Sequence, residues 1–148
     1  MLKKILIFSS FLTLLNAYEC KYLDTFKEAG KKYEIDYRLL CSLAKVESHH
    51  NPYAMNIRSK DFDVGIMQIN TWWFNKLRAR GMYDDRLLLD YEFNIDVGSW
   101  ILKSCIQDFG TTTKAIDCYN KGNYKARNDS DYVRKVLIAY QYFIRKYE

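Results

Sequence analysis

Two carboxylates, Glu47 and Asp63, stand 16 positions apart, and the second opens the run Asp63-Val64-Gly65-Ile66-Met67-Gln68-Ile69-Asn70-Thr71-Trp72-Trp73. Paired carboxylates can divide the cleavage of a glycosidic bond between them. One donates a proton to the leaving oxygen, and the other faces the positive charge that develops at the sugar carbon. Glu47 suits the first task. It follows Leu40, Leu43 and Ala44 on one helical face, so its side chain is expected at the edge of the core. It also lies in a last helical turn, where backbone carbonyls present partial negative charge. Both surroundings disfavour the ionised form and raise its pKa. A carboxylic acid that keeps its proton near neutral pH is what a leaving sugar oxygen requires. The plainer alternative is a solvated glutamate beside Lys45. Asp61 is a rival to Asp63 as the second carboxylate. His49 and His50 invite a metal reading, but adjacent side chains on a helix point apart and the chain has no other histidine. Neither a metal nor a cofactor is expected.

Helices must carry most of these groups. Cys20, Leu23, Phe26 and Tyr33 lie near helical spacing and predict a first helix over 20–33. Asp36 is placed to cap a second, whose stripe Leu39, Leu40, Leu43, Ala44 and Val46 leads to Glu47 and ends at Asn51-Pro52. Residues 49–66 break into Asn, Ser, Asp and Gly, which predicts a loop with a small β-hairpin near 55–64. A helix is expected to resume over 68–80 and stop at Gly81. A short helical turn is expected from Asp84-Asp85 through Leu88. Ile95, Leu102, Ile106 and Phe109 mark the next helix, closed by Gly110. Thr111 to Thr113 can cap a helix through Tyr119. Asn128 to Ser130 precede a last one with Val133, Val136, Leu137, Tyr140, Ile144 and Tyr147 at helical spacing. The pattern is that of a mainly α domain with a small β or irregular insert after the second helix.

The 148 residues suit one domain with a real core. Thirteen Tyr, eight Phe and three Trp are enough to fill a core and still line a groove. Met1-Leu2-Lys3-Lys4, the apolar run Ile5 to Leu15 and the small residue at Asn16-Ala17 have the layout of an export signal over 1–17. The run is too short to span a bilayer comfortably. Tyr18-Glu19 ahead of Cys20 argues against lipid attachment there. Removing 1–17 takes away two lysines and no acid, so a net charge of +5 falls to +3. A mildly basic exported domain of 18–148 suits an anionic polymer such as cell wall, and with no dominant basic stripe nucleic acid is not expected. Cys20, Cys41, Cys105 and Cys118 are compatible with two disulfides in an oxidising compartment, with three pairings open and free buried thiols the alternative.

Several short motifs resemble one family. Glu47-Ser48-x-x-Asn51-Pro52-x-Ala54 is similar to the opening motif of lytic transglycosylases, and Gly65-Ile66-Met67-Gln68-Ile69 to their second. Asp90-x-x-x-Asn94-Ile95-x-x-Gly98 resembles the third, with Tyr91 where Pro is frequent. Ala115-x-x-Cys118-Tyr119-Asn120-x-Gly122 resembles the fourth, with Cys118 where Ala is common. Tyr132-Val133 matches a further position. The motifs occur in family order over 20–148. The Asp63 to Trp73 run is also similar to the active-site segment of animal-type (c-type) lysozymes. Specialised transglycosylases of secretion, conjugation and pilus systems often keep such an aspartate.

The resemblance implies an α+β lysozyme-like SLT domain, a monomer, exported to a periplasm, acting on peptidoglycan glycan strands in the service of a secretion, conjugation or pilus component. It implies Glu47 and Asp63 as catalytic residues, with Ser48, Gln68, Asn70, Trp72, Tyr119, Asn120 and Tyr132 meeting substrate or setting the acid. Ser48 and Gln68 would hold the N-acetyl group or position Glu47, and Asn70 would hold Asp63 or a sugar hydroxyl. Gly65 would admit backbone close to the sugar. One of Trp72 and Trp73 would stack on a sugar while the other is buried, and Met67 belongs to the core. Two other readings stand beside the transglycosylase. One is a hydrolytic muramidase using both carboxylates, the other a wall-binding assembly factor without cleavage.

Overall fold

The computed structural model describes residues 19–148 except 59, 84–89 and 123–124. The export-signal segment 1–17 and the turn expected at 84–88 lie outside the described residues. Side-chain caps open most of the helices. Asp36 accepts the Arg38 N–H at 2.9 Å and opens the helix Tyr37–Ser48. Asp90 accepts the N–H groups of Glu92 and Phe93 and opens Tyr91–Phe109. Thr112 caps Thr113–Lys121, and Ser130 caps Asp131–Lys146. Each short oxygen side chain satisfies backbone donors that a helix start leaves without partners. In chain order the helices are α1 (Leu23–Tyr33), α2 (Tyr37–Ser48), α3 (Phe74–Ala79), α4 (Tyr91–Phe109), α5 (Thr113–Lys121) and α6 (Asp131–Lys146).

Between α2 and α3 lies an antiparallel sheet, β1 (Met55–Ile57), β2 (Phe62–Val64) and β3 (Ile69–Asn70), in the order β1-β2-β3. The hairpin expected at 55–64 is present, and a third strand extends it. That strand takes residues expected in a helix. Gln68 has φ 49° in the β2–β3 turn, Ile69 pairs with Val64, and Asn70 pairs with Asp63. A 3₁₀ turn (Thr71–Trp73) then leads into α3, because the Asn70 side chain accepts the Trp72 N–H at 2.8 Å and starts the helical winding only there. Pairing with β2 across a tight turn overrides the helical pattern. The second helix also stops before Asn51-Pro52, at His49 and His50, which both take left-handed backbone (φ 56° and 59°).

The core sits where α2 runs along α6, with α1 bracing α2 and α4. Leu40, Leu43 and Ala44 of α2 are fully buried, as are Phe26, Ile95, Leu102, Val136 and Phe143. His50 is part of this core. Its Nε2 lies 2.9 Å from the Cys41 carbonyl oxygen, and its ring packs beside Phe26 and Phe143. Burial pushes its pKa down to about 4, so the neutral ring donates to that carbonyl. The open cysteine question resolves into Cys20–Cys41, which ties the chain ahead of α1 to α2, and Cys105–Cys118, which joins α4 to α5.

Candidate active site

Glu47 ends up half-buried in the last turn of α2, on the wall of a cleft of about 920 Å³. The Tyr132 hydroxyl, from the first turn of α6, donates to its Oε1 at 2.5 Å. The carboxyl pKa is raised from its ordinary 4.5 to about 7. Burial is the largest cause. The Tyr132 hydrogen bond opposes it, the Asp63 charge adds to it, and the Arg58 charge opposes it. The acid is therefore still substantially protonated near neutrality.

The sheet positions the second carboxylate. The register Asn56↔Asp63 and Asp63↔Asn70 puts these side chains on one face. Asn70 Nδ2 donates to Asp63 Oδ1 at 2.7 Å, and the Arg58 guanidinium lies 3.3 Å from Oδ2. Asp63 is 8% exposed, so both oxygens are held inside the fold by named donors.

The turn after Asp63 is fastened from several directions. Asn94 of α4 donates to the Val64 carbonyl at 3.0 Å and accepts the Met67 N–H at 2.8 Å. Tyr119 donates to the Met67 carbonyl at 2.7 Å, and Ser48 to the Ile66 carbonyl at 2.7 Å. Gln68 donates to the carbonyls of Gly65 and Ala54. Gly65 has φ 78°, and a Cβ there would lie 2.2 Å from the Asn94 amide nitrogen. Its missing side chain makes room for Asn94. Gly98 likewise makes room for Met67, which is fully buried.

The structure brings Glu47, Asp63, Gln68, Asn70, Trp72, Tyr119 and Asn120 to the cleft surface. Ser48 and Tyr132 stand behind it. Ser48 pins α2 to the turn and Tyr132 holds the acid. Both hydrogens of the Gln68 amide face backbone carbonyls, so the group it can offer a ligand is its acceptor oxygen. Trp72 is 56% exposed, whereas Trp73 packs against the core and edge-on against Trp100 at 6.0 Å. Asp61 lies on the exposed rim.

Three features escaped the sequence reading. Arg58 pairs with Asp63, and nothing in its local sequence announces a partner across a hairpin. Asn94 was matched by motif, without the knot it ties. Asp117 is 0% exposed on α5, accepting from the Arg127 N–H at 2.7 Å, from Lys121 at 3.2 Å and from the Ser130 hydroxyl. Ser130 is the cap of α6, so Asp117 fixes the helix start from which Tyr132 reaches Glu47. An acid flanked by Ile116 and Cys118 on a helix was the available signal. Among the described residues, no group of three or more His, Cys, Asp or Glu is arranged to hold a metal.

Residues 24–141 match the family model described as the transglycosylase SLT domain. The invasion protein IagB of Salmonella typhimurium is 30% identical over 123 residues, covering 81% of this chain and 77% of that protein. A peptidoglycan-binding-like protein of Escherichia coli O157:H7 is 35% identical over 129 residues, covering 78% and 75%. The solved 70 kDa soluble lytic transglycosylase SLT70 of Escherichia coli superposes with a TM-score of 0.62 at 26% identity. That match covers 84% of this chain and 19% of the larger one.

Proposed function

We propose, from the premise that this chain belongs to the transglycosylase SLT domain family and is a peptidoglycan lytic transglycosylase, that it cleaves the bond between a muramyl sugar and the next glucosamine. Glu47 is the proton donor, and the product is an internal anhydro ring. One observation carries this reading: the half-buried Glu47 carboxyl on the cleft wall, protonated up to about pH 7 and held by Tyr132. Its proton passes to the glycosidic oxygen as the bond to the anomeric carbon breaks. The muramyl primary hydroxyl then bonds to that carbon and returns its proton to the Glu47 carboxylate, so no water is consumed. Asp63 stabilises the positive charge at the anomeric carbon, as can the substrate's own N-acetyl group. Trp72 offers a face for a sugar, while Gln68, Tyr119 and Asn120 line the path of the strand.

Asp63 also favours a second reading. Its charge reaches Glu47, and two donors hold it in place, as a hydrolase with two working carboxylates requires. Mass spectrometry of digested sacculi separates the two: anhydro-muramyl ends, lighter by one water, support transglycosylation, and reducing ends alone reject it.

Residues 1–17 act as an export signal in this proposal, placing the enzyme on the wall side of the membrane. Two disulfides suit that compartment. No helix among the described residues is long and apolar enough to cross a membrane. A relative named as an invasion protein supports service to a secretion, conjugation or pilus apparatus that needs local gaps in the wall. Complementation of a strain lacking the gene by wild type and Glu47→Gln protein tests whether that service needs cleavage.

A further inference from the structure

The cleft wall formed by the 3₁₀ turn, α3 and α4 has a composition that proton transfer does not account for. Trp72, Trp73 and Trp100 meet edge to face, at 5.0 Å between the first two and 6.0 Å between the last two. Two cations lie on this aromatic surface. Lys76 Nζ is 4.1 Å from the Trp72 ring centre and 4.9 Å from that of Trp73, and the Arg80 guanidinium is 5.0 Å from that of Trp100. Lys76 and Arg80 are four positions apart, so they follow one face of the turn. Both are exposed, and both line the same cleft as Glu47. Among the described residues the cationic side chains of the cleft that form ion pairs are Arg58 with Asp63 and Lys121 with Asp117. Lys76 and Arg80 belong to neither pair.

A neutral sugar chain would need only the tryptophan faces. A cation over a ring is steadied by the ring's negative face and keeps N–H donors at its edge, where a carboxylate can meet them. In peptidoglycan, carboxylates project from the muramyl sugars, on the free lactyl arm of a denuded strand or on the peptide attached to that arm. Resting on the peptidoglycan reading above, we propose that Lys76 and Arg80 form a subsite for carboxylates carried on the muramyl lactyl arm. The enzyme thereby prefers anionic glycan strands over neutral ones of equal length.

Binding measured in the Glu47→Gln background, where cleavage cannot interfere, tests this with three ligands: neutral N-acetylglucosamine oligomers, denuded strands and peptide-bearing strands. Adding Lys76→Gln and Arg80→Gln is expected to weaken one or both anionic ligands about tenfold and neutral oligomers less than about twofold. The charge-keeping Lys76→Arg with Arg80→Lys is expected to retain the preference, and the neutralised protein's melting temperature confirms that it folds. Loss confined to peptide-bearing strands places the carboxylate on the peptide, and loss on denuded strands places it on the lactyl arm. Equal weakening of neutral and anionic ligands, or no weakening of either anionic one, overturns the subsite and leaves the enzymatic reading standing. Failure of the Glu47→Gln protein to bind any strand, together with no release of wall fragments by wild type, overturns that reading and the subsite with it.

Discussion

The two sides of the cleft hold a carboxylate each and treat it in opposite ways. On the helical side, the end of α2 buries Glu47 against core residues and gives it one neutral donor, Tyr132. Its proton is retained to about pH 7. On the sheet side, Asp63 receives an amide donor from Asn70 and a guanidinium from Arg58. Arg58 pairs directly with Asp63 but reaches Glu47 only through its charge, and there burial outweighs it. The two sides are also built differently. The helical side rests on core packing and on Asp117 behind α6, whereas the sheet side rests on two- and three-residue strands knotted to α4 by Asn94.

The largest effect expected on this asymmetry comes from Glu47→Gln, which keeps the shape and removes the proton. Release of wall fragments should fall by about 10³-fold. The same variant carries a stability signature. Below about pH 4.5 both the folded and the unfolded carboxyl are protonated. Between 4.5 and about 7 the unfolded chain loses its proton while the folded acid keeps it, so the wild type loses stability over that window and levels off above it. Thermal melting should show Glu47→Gln gaining on wild type by roughly 3 kcal/mol between pH 4 and pH 8, a trend that a solvent-exposed glutamate would not produce.

Asp117→Asn strikes the helical side from behind. Weakened bonds to Ser130, Lys121 and the Arg127 N–H should cost about 2 kcal/mol by denaturant unfolding and lower activity through a misplaced Tyr132. Tyr132→Phe and Asp63→Asn then separate the two environments by sign. The tyrosine's hydrogen bond lowers the Glu47 pKa, so its loss should move the alkaline limb of the pH–rate profile upward. The aspartate's charge raises that pKa, so its loss should move the limb downward. Each shift should be about one pH unit or less. Movement of both limbs in the same direction would break the comparison.

Much of this site was legible because its key groups lie in short local patterns. Glu47 after an apolar stripe, the run from Asp63 to Trp73, and the caps Asp36, Thr112 and Ser130 all announce themselves within a few residues. The errors arose where strand pairing and tertiary contacts decide. Gln68 and Ile69 read as a helix start, but β2 recruits Ile69 and Asn70 as strand, and Asn70 delays the winding. Gly65 makes room for Asn94, nearly thirty positions on, a need that its own neighbourhood does not show. Arg58, Lys76 and Arg80 enter the site only when folding sets them beside Asp63 and the tryptophans. The disulfide pairing likewise needed the approach of α4 to α5.

The titration of the Glu47 carboxyl itself is the decisive measurement, followed by carbon NMR on wild type and assigned by the resonance missing from Glu47→Gln. The expected result is a carboxyl that stays protonated through pH 6 and titrates near 7, tracking the alkaline limb of activity. A Glu47 resonance that titrates near 4.5, with cleavage undiminished at pH 9, would contradict it.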